Sequence, residues 1–235
     1  MITRSLIVHT MALSLSLCAC GGQDGPGDSR VSDADIVSDI QSSNIAAWSG
    51  GTRGTNRWVG TASETAVPDI AVYIPAPADA TETALAADAR ATVVEYNRRL
   101  AGKVMLAEVP SPPASGGYIR VSYLTSYVPA GSTDYQSYCS NVATGPSLPN
   151  VIDPSPADGS RNAAVAWVNL GNGHCDVSQD IVHHEFGHAL GLANHFYGFG
   201  NPDPISRAFW DVLATLYGNP VRTPATQLVV HRAAN

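Results

Sequence analysis

Residues 183–200 read His183-His184-Glu185-Phe186-Gly187-His188-Ala189-Leu190-Gly191-Leu192-Ala193-Asn194-His195-Phe196-Tyr197-Gly198-Phe199-Gly200, and the rest of the chain is read outward from them. His184, Glu185 and His188 form the pattern H-E-x-x-H. Residues four apart on a helix share one face, about 6 Å from each other. Two imidazoles so placed can bind one Zn²⁺, with the glutamate between them as general base for an activated water. The flanks suit a helix. Asp176 or Ser178 can cap it, and Asp176 with Gln179 has capping-box spacing. Ile181, Val182, Phe186, Ala189 and Leu190 give it an apolar side, and Gly191 is a natural stop.

Two histidines and a water leave a tetrahedral zinc site one ligand short. On a continued helix His195 would share the face of His188 but lie two turns away, about 10 Å along the axis. The chain must therefore turn at Gly191 and fold back, which brings either Asn194 or His195 to the metal. Histidine is the better ligand on chemical grounds, so His195 is the expected third ligand and Asn194 the alternative.

The run His184 to Gly191, H-E-F-G-H-A-L-G, resembles the metzincin zinc proteases, and their matrixin-like branch in particular. That family's pattern is H-E-x-x-H-x-x-G-x-x-H. The match here holds through Gly191, after which the family's third-ligand position falls on Asn194 and His195 comes one residue late. A second departure is the methionine that metzincins place in a turn beneath the zinc, since no Met follows Met105. If such a turn exists here, Phe199 or Ile205 must supply its apolar side chain. Ile205 to Gly218, ending Leu216-Tyr217-Gly218, again resembles the closing helix of matrixin-like domains. The resemblance covers about residues 67 to 220, with its specific part between 181 and 218. It implies an α+β domain: a small twisted sheet packed on a long helix and on the zinc helix, followed by a helical C-terminal subdomain. Tyr197 follows His195 closely; in some metzincins a tyrosine near the metal stabilises the oxyanion, but here core or rim packing is the expected role.

The inventory of acids narrows the other zinc-site types. Glu185 is the last glutamate, so a downstream glutamate ligand is impossible. Asp203 and Asp211 are the only later acids; one sits between prolines and the other within the closing helix. His174, beside Cys175, is expected in solvent, and His183 points roughly 100° around the helix from His184. His231 lies in a tail whose residues Gln227 to Val230 look strand-like.

At 235 residues, 44% of them apolar, the chain can build a sizeable core. Its charged fraction of 14%, with 21 Gly and 16 Pro, suits a loop-rich exported protein. A net charge of −7 and the absence of any basic cluster beyond the pair Arg98-Arg99 argue against nucleic-acid binding. Residues 1–19 form a leader with Arg4 ahead of an apolar run too short for a membrane span. Leu17-Cys18-Ala19-Cys20-Gly21 resembles a bacterial lipobox, which makes Cys20 the candidate lipidated residue; an ordinary secretory leader is the alternative. Residues 20–33 then read as a flexible tether.

Residues 34–66 are of unclear role. Ile36, Val37, Ile40, Ile45 and Trp48 suit a short helix or a strip packed on the domain, and a propeptide is the functional alternative. The domain proper is set at 67–235. Residues 69–74 alternate as a strand, and Asp79 with Glu82 has capping-box spacing for a helix. Leu85, Ala89, Val93, Tyr96 and Leu100 recur along that helix, and Gly102 ends it. Strands follow at 104–109 and 118–124, then a long loop over 125–162, then a buried strand at 163–170. Cys139 and Cys175, the two cysteines after Cys20, are expected to form a disulfide in an exported protein.

The expected function is an exported, lipid-anchored zinc endopeptidase, with His184, His188 and His195 on Zn²⁺ and Glu185 as catalytic base. Its partners would be a protein or peptide substrate and, through the lipid, a membrane; a monomer is expected, facing the periplasm or cell surface, or secreted if the lipobox is unused. The alternative is a binding module on a catalytically degenerate metzincin-like scaffold.

Overall fold

A computed structural model of the chain describes residues 31–47, 53–60, 62–63, 65–124, 139–144, 165–200 and 204–235. The leader, Cys20, most of the tether, Trp48, Asp203 and most of the 125–162 loop lie outside the described residues. The elements run α1 (Asp33–Ser43), β1 (Ala46–Ala47), β2 (Arg53–Gly54), β3 (Asp69–Tyr73), α2 (Ala80–Arg99), β4 (Met105–Val109), β5 (Tyr118–Tyr123), β6 (Asn141–Thr144), β7 (Val165–Leu170), α3 (Gln179–Ala189) and α4 (Arg207–Gly218). The architecture is mixed, a five-stranded sheet with four α-helices among the described residues, consistent with an α+β domain.

The sheet order is β4-β3-β5-β7-β6, with β6 antiparallel to β7 and every other pair parallel. Parallel neighbours need a crossover. α2 supplies one between β3 and β4. Its start is fixed by Asp79, whose carboxylate accepts from the Glu82 N–H at 2.8 Å, while Glu82 accepts from the Ala78 N–H at 2.7 Å, one residue before the cap. Leu85, Ala89, Val93 and Tyr96 all fall on the buried side of α2, and Leu100 is buried at its C-cap. They meet Ile70 and Val72 of β3, Ile119 and Val121 of β5 and Val168 and Leu170 of β7 in one core. Gly102 lies past the helix end at φ 73°, the left-handed conformation that glycine adopts without a Cβ penalty.

β6 corrects the reading of 125–162 as a loop without regular structure. Four residues, Asn141 to Thr144, pair with Asn169 to Ala166 of β7 and form the sheet edge beside α3. So short a run carries no legible alternation of its own; its hydrogen bonds come from β7. A second correction concerns the tail, where 227–230 form no strand. A 3-10 turn spans Ala225–Gln227, and the backbone beyond it is paired by side chains of α4 and its cap. Asn219 takes both backbone groups of Val229, at 2.9 and 2.7 Å, and the Thr215 hydroxyl serves both of His231, at 3.0 and 2.9 Å.

α1 begins at Asp33 with a capping box between Ser32 and Asp35, so its N-cap and first residue lie at the end of the stretch read as tether. Ile36 and Ile40, one turn apart, are fully buried in the same core as the sheet residues, together with Trp58. α1 packs against α4, which is buried along nearly its whole length. Asp211 of α4, fully buried, is paired with Arg207 at 3.1 Å and Arg232 at 2.9 Å and accepts from the Ala233 N–H at 2.8 Å. A buried carboxylate persists when its charge and lone pairs are met in this way. Among the described residues no helix is long and apolar enough to cross a membrane.

Candidate metal centre

α3 carries the centre. Its N-cap is Ser178, whose hydroxyl accepts from the Ile181 N–H at 3.3 Å. The Asp176–Gln179 capping box does not form. The Gln179 amide instead donates to the Asp88 carbonyl at 3.0 Å and the Thr92 hydroxyl at 2.6 Å, tying α3 to α2. The Tyr96 hydroxyl adds a second tie, donating to the His183 carbonyl at 2.6 Å. The His183 ring packs against Tyr96 and Trp210, away from the centre.

Beyond Leu190 the chain turns at Gly191, whose φ of 116° is a conformation side chains disfavour. It folds back, and His195 returns to His184 and His188. The His188 Nε2 lies 3.0 Å from the His184 Nε2 and 3.2 Å from the His195 Nε2. All three ligand atoms fall within 4.8 Å of one another.

The chemistry of this donor set fits a cation. A zinc–nitrogen bond of about 2.0–2.1 Å in a tetrahedral site puts neighbouring nitrogens about 3.3 Å apart, close to the spacing seen. The His188 Nδ1 contacts the Leu192 carbonyl, which can only accept. The proton therefore sits on Nδ1 and the Nε2 lone pair faces the other two rings, the outer-shell arrangement typical of a metal-bound histidine. Neutrality is also favoured at His184, where burial first, then His188 and His195, push the pKa down to about 3, against an opposing effect of the Phe199 and Gly200 backbone. The three histidines can thus hold a metal ion, which requires neutral imidazole.

Beneath the rings lies Phe199. Its centroid is 4.7 Å from His184, 4.9 Å from His188 and 5.2 Å from His195, and the ring is fully buried. Of the two residues proposed for the apolar floor, Phe199 occupies it; Ile205 packs alongside, its Cδ1 3.0 Å from where a Cβ on Gly200 would sit. Phe199 rests in turn on Phe209 at 5.2 Å and Phe196 at 5.0 Å.

Glu185 is 6% exposed, and burial pushes its carboxyl up to about 8. Asn194 is turned away from the histidines, its amide donating to the Ser42 carbonyl at 2.8 Å. Tyr197, two residues beyond His195, is 80% exposed, so the expected core packing does not hold. His174 is exposed and His231 packs over Gly218; neither joins the cluster. Cys139 and Cys175 form a disulfide with Cα atoms 5.8 Å apart, fastening the residues just before β6 to the loop that leads into α3.

The sequence gives no sign of three further contributors. The carbonyls of Ala189, Leu190 and Gly191 at the end of α3 accept from the Trp58 Nε1 at 2.9 Å, the Tyr217 hydroxyl at 2.8 Å and the Asn44 amide at 2.7 Å. All three donors are remote in the chain, so no local pattern marks them. The chain matches no family model and no curated protein.

Proposed function

We propose that this protein is a zinc-dependent endopeptidase of metzincin-like type, exported and held to a membrane by a lipid on Cys20. The observation that carries the reading is the convergence of three histidines, with the His188 Nε2 at 3.0 and 3.2 Å from those of His184 and His195, and a buried glutamate next to the first of them on the same helix. Further support is the order strand, helix and then four strands (β3, α2, β4 to β7) ahead of α3, together with the apolar ring of Phe199 beneath the histidines. The disulfide suits export, since such bonds persist in oxidising compartments.

His184, His188 and His195 would hold the zinc, with His188 fixed in its ligating tautomer by the Leu192 carbonyl. When bound, zinc supplies Lewis acidity, which acidifies water and polarises a carbonyl. Glu185 accepts the proton of the attacking water on its carboxylate and returns it to the leaving amine. Phe199 closes the inner side of the centre to solvent. β6, at the sheet edge, can take an extended peptide by strand addition.

Hydrolysis of an unfolded protein substrate by the zinc-loaded chain, beside Glu185→Gln, tests the reading. Wild-type cleavage abolished in the variant, with zinc retained, supports it. Undiminished cleavage in Glu185→Gln removes the glutamate from the mechanism. Zinc binding without hydrolysis of any member of a broad peptide mixture favours a binding module on this scaffold.

A further inference from the structure

We propose that Asn44 and Asn194 are positioning residues for the third ligand, His195, and that the N-terminal residues Ser42, Ser43, Asn44 and Trp58 belong to the metal centre. The inference rests on the three histidines holding a metal but not on peptide hydrolysis.

The eight residues from His188 to His195 leave a helix, reverse direction and return a side chain to the helix face. A helix end leaves its last carbonyls without intrahelical partners, and an unpaired turn of this kind would have many paths. Here the N-terminal segment fixes the path at four points. The Trp58 indole N–H donates to the Ala189 carbonyl at 2.9 Å, and the Asn44 amide to the Gly191 carbonyl at 2.7 Å. The Ala193 N–H donates to the Ser43 carbonyl at 2.6 Å, and the Asn194 amide to the Ser42 carbonyl at 2.8 Å. His195 is the next residue.

Asn44 is itself held rigidly. It is 8% exposed; its amide also donates to the Asn56 carbonyl at 2.7 Å, and its oxygen accepts from the Asn56 N–H at 2.9 Å. One side chain thus joins three strands of backbone: the end of α1, the stretch after β2 and the turn after α3. Asn194 settles which side chain faces the metal. With its amide spent on Ser42, the next side chain, His195, faces inward at 3.2 Å from His188. Release of Asn194 would let the turn slip by one residue, exchanging a strong ligand for a weak one.

Changes to groups that orient metal ligands typically cost about 10- to 100-fold in affinity. The test is zinc affinity by chelator competition on the purified chain, with the visible spectrum of the cobalt(II)-loaded form, for wild type, Asn44→Ala, Asn194→Ala and His195→Ala. Thr215→Ala serves as the control for lost stability, because Thr215 braces His231, which takes no part in the three-histidine cluster. The expected result is one metal per chain in both asparagine variants, with wild-type cobalt band positions and affinity lowered about 10- to 100-fold. Thr215→Ala should keep wild-type affinity at a lower melting temperature, and His195→Ala should lose the bands. Wild-type affinity in Asn194→Ala, or losses no larger than in a variant of equal melting temperature, overturns the proposal. Asn194 is exposed, so its variant decides the matter even if Asn44→Ala fails to fold. Absence of metal from folded wild type would instead overturn the metal-centre reading itself.

Discussion

The ring of Phe199 lies 4.7 Å from that of His184 and 5.2 Å from that of Phe209, so one side chain joins the histidine-bearing face of α3 to the core of α4. Its neighbours Gly198 and Gly200 both have positive φ, at 83° and 101°, and a Cβ on Gly198 would fall 2.0 Å from the Ser206 hydroxyl. The aromatic floor is thus delivered by a tight loop only four residues beyond His195.

Phe199→Ala should cost about 3–5 kcal/mol of stability, the range for deleting a buried aromatic, and should weaken metal binding because three imidazoles lose their support. Phe199→Met, which refills much of the volume with an adaptable side chain, should cost less on both counts. Denaturant unfolding and chelator competition check the pair; equal stability in Phe199→Ala would show that the ring is not a packing element.

Gly187 sits within H-E-x-x-H, where a Cβ would lie 2.6 Å from the Cε2 of Phe209 and 3.5 Å from the Cζ of Phe199. Gly187→Ala ought to raise helix propensity, yet overpacking against two buried rings should outweigh it, with a net loss of about 1–3 kcal/mol. A denaturation midpoint at or above wild type would contradict this.

In the metal-free protein two buried groups bend the pH–stability curve in opposite directions. His184, lowered from 6.5 to about 3 by burial first, contributes stability above pH 6.5 that is lost as pH falls towards 3. Glu185, raised from 4.5 to about 8 by burial, contributes stability below pH 4.5 that is lost as pH rises through 8. Between pH 4.5 and 6.5 the two slopes oppose each other, so Glu185→Gln should flatten the decline between pH 6.5 and 8 in melting temperatures taken with chelator present. A decline as steep as wild type would mean that Glu185 is already ionised in the folded state.

The Cys139–Cys175 bridge closes a separation of 36 residues, for which loop entropy gives about 4 kcal/mol. Cys139→Ser with Cys175→Ser should lose about 2–4 kcal/mol by denaturant unfolding. Hydrogen exchange should rise first in β6, which the bridge fastens beside α3.

His184, Glu185 and His188 were legible in the sequence because helical spacing alone puts both imidazoles on one face. The choice between Asn194 and His195 was not settled by spacing, because it depends on the Asn194 contact with Ser42, 152 positions away. The same holds for Asn44 and Trp58, which reach the end of α3 across 147 and 131 positions. The buried stripe of α2 and the strands β3, β4, β5 and β7 could be read from period and burial within a residue or two. β6 could not, since its existence is imposed by the edge of β7. The N-terminal segment showed its apolar residues but not that Ile36, Ile40 and Trp58 would share the core of the sheet.

The central claim is that His184, His188 and His195 together hold one zinc. Zinc per chain, measured by mass spectrometry after dialysis for wild type and His195→Ala, tests it most directly. The account predicts one zinc in the wild type and none in His195→Ala. A folded wild type without zinc, or undiminished zinc in His195→Ala, would contradict it.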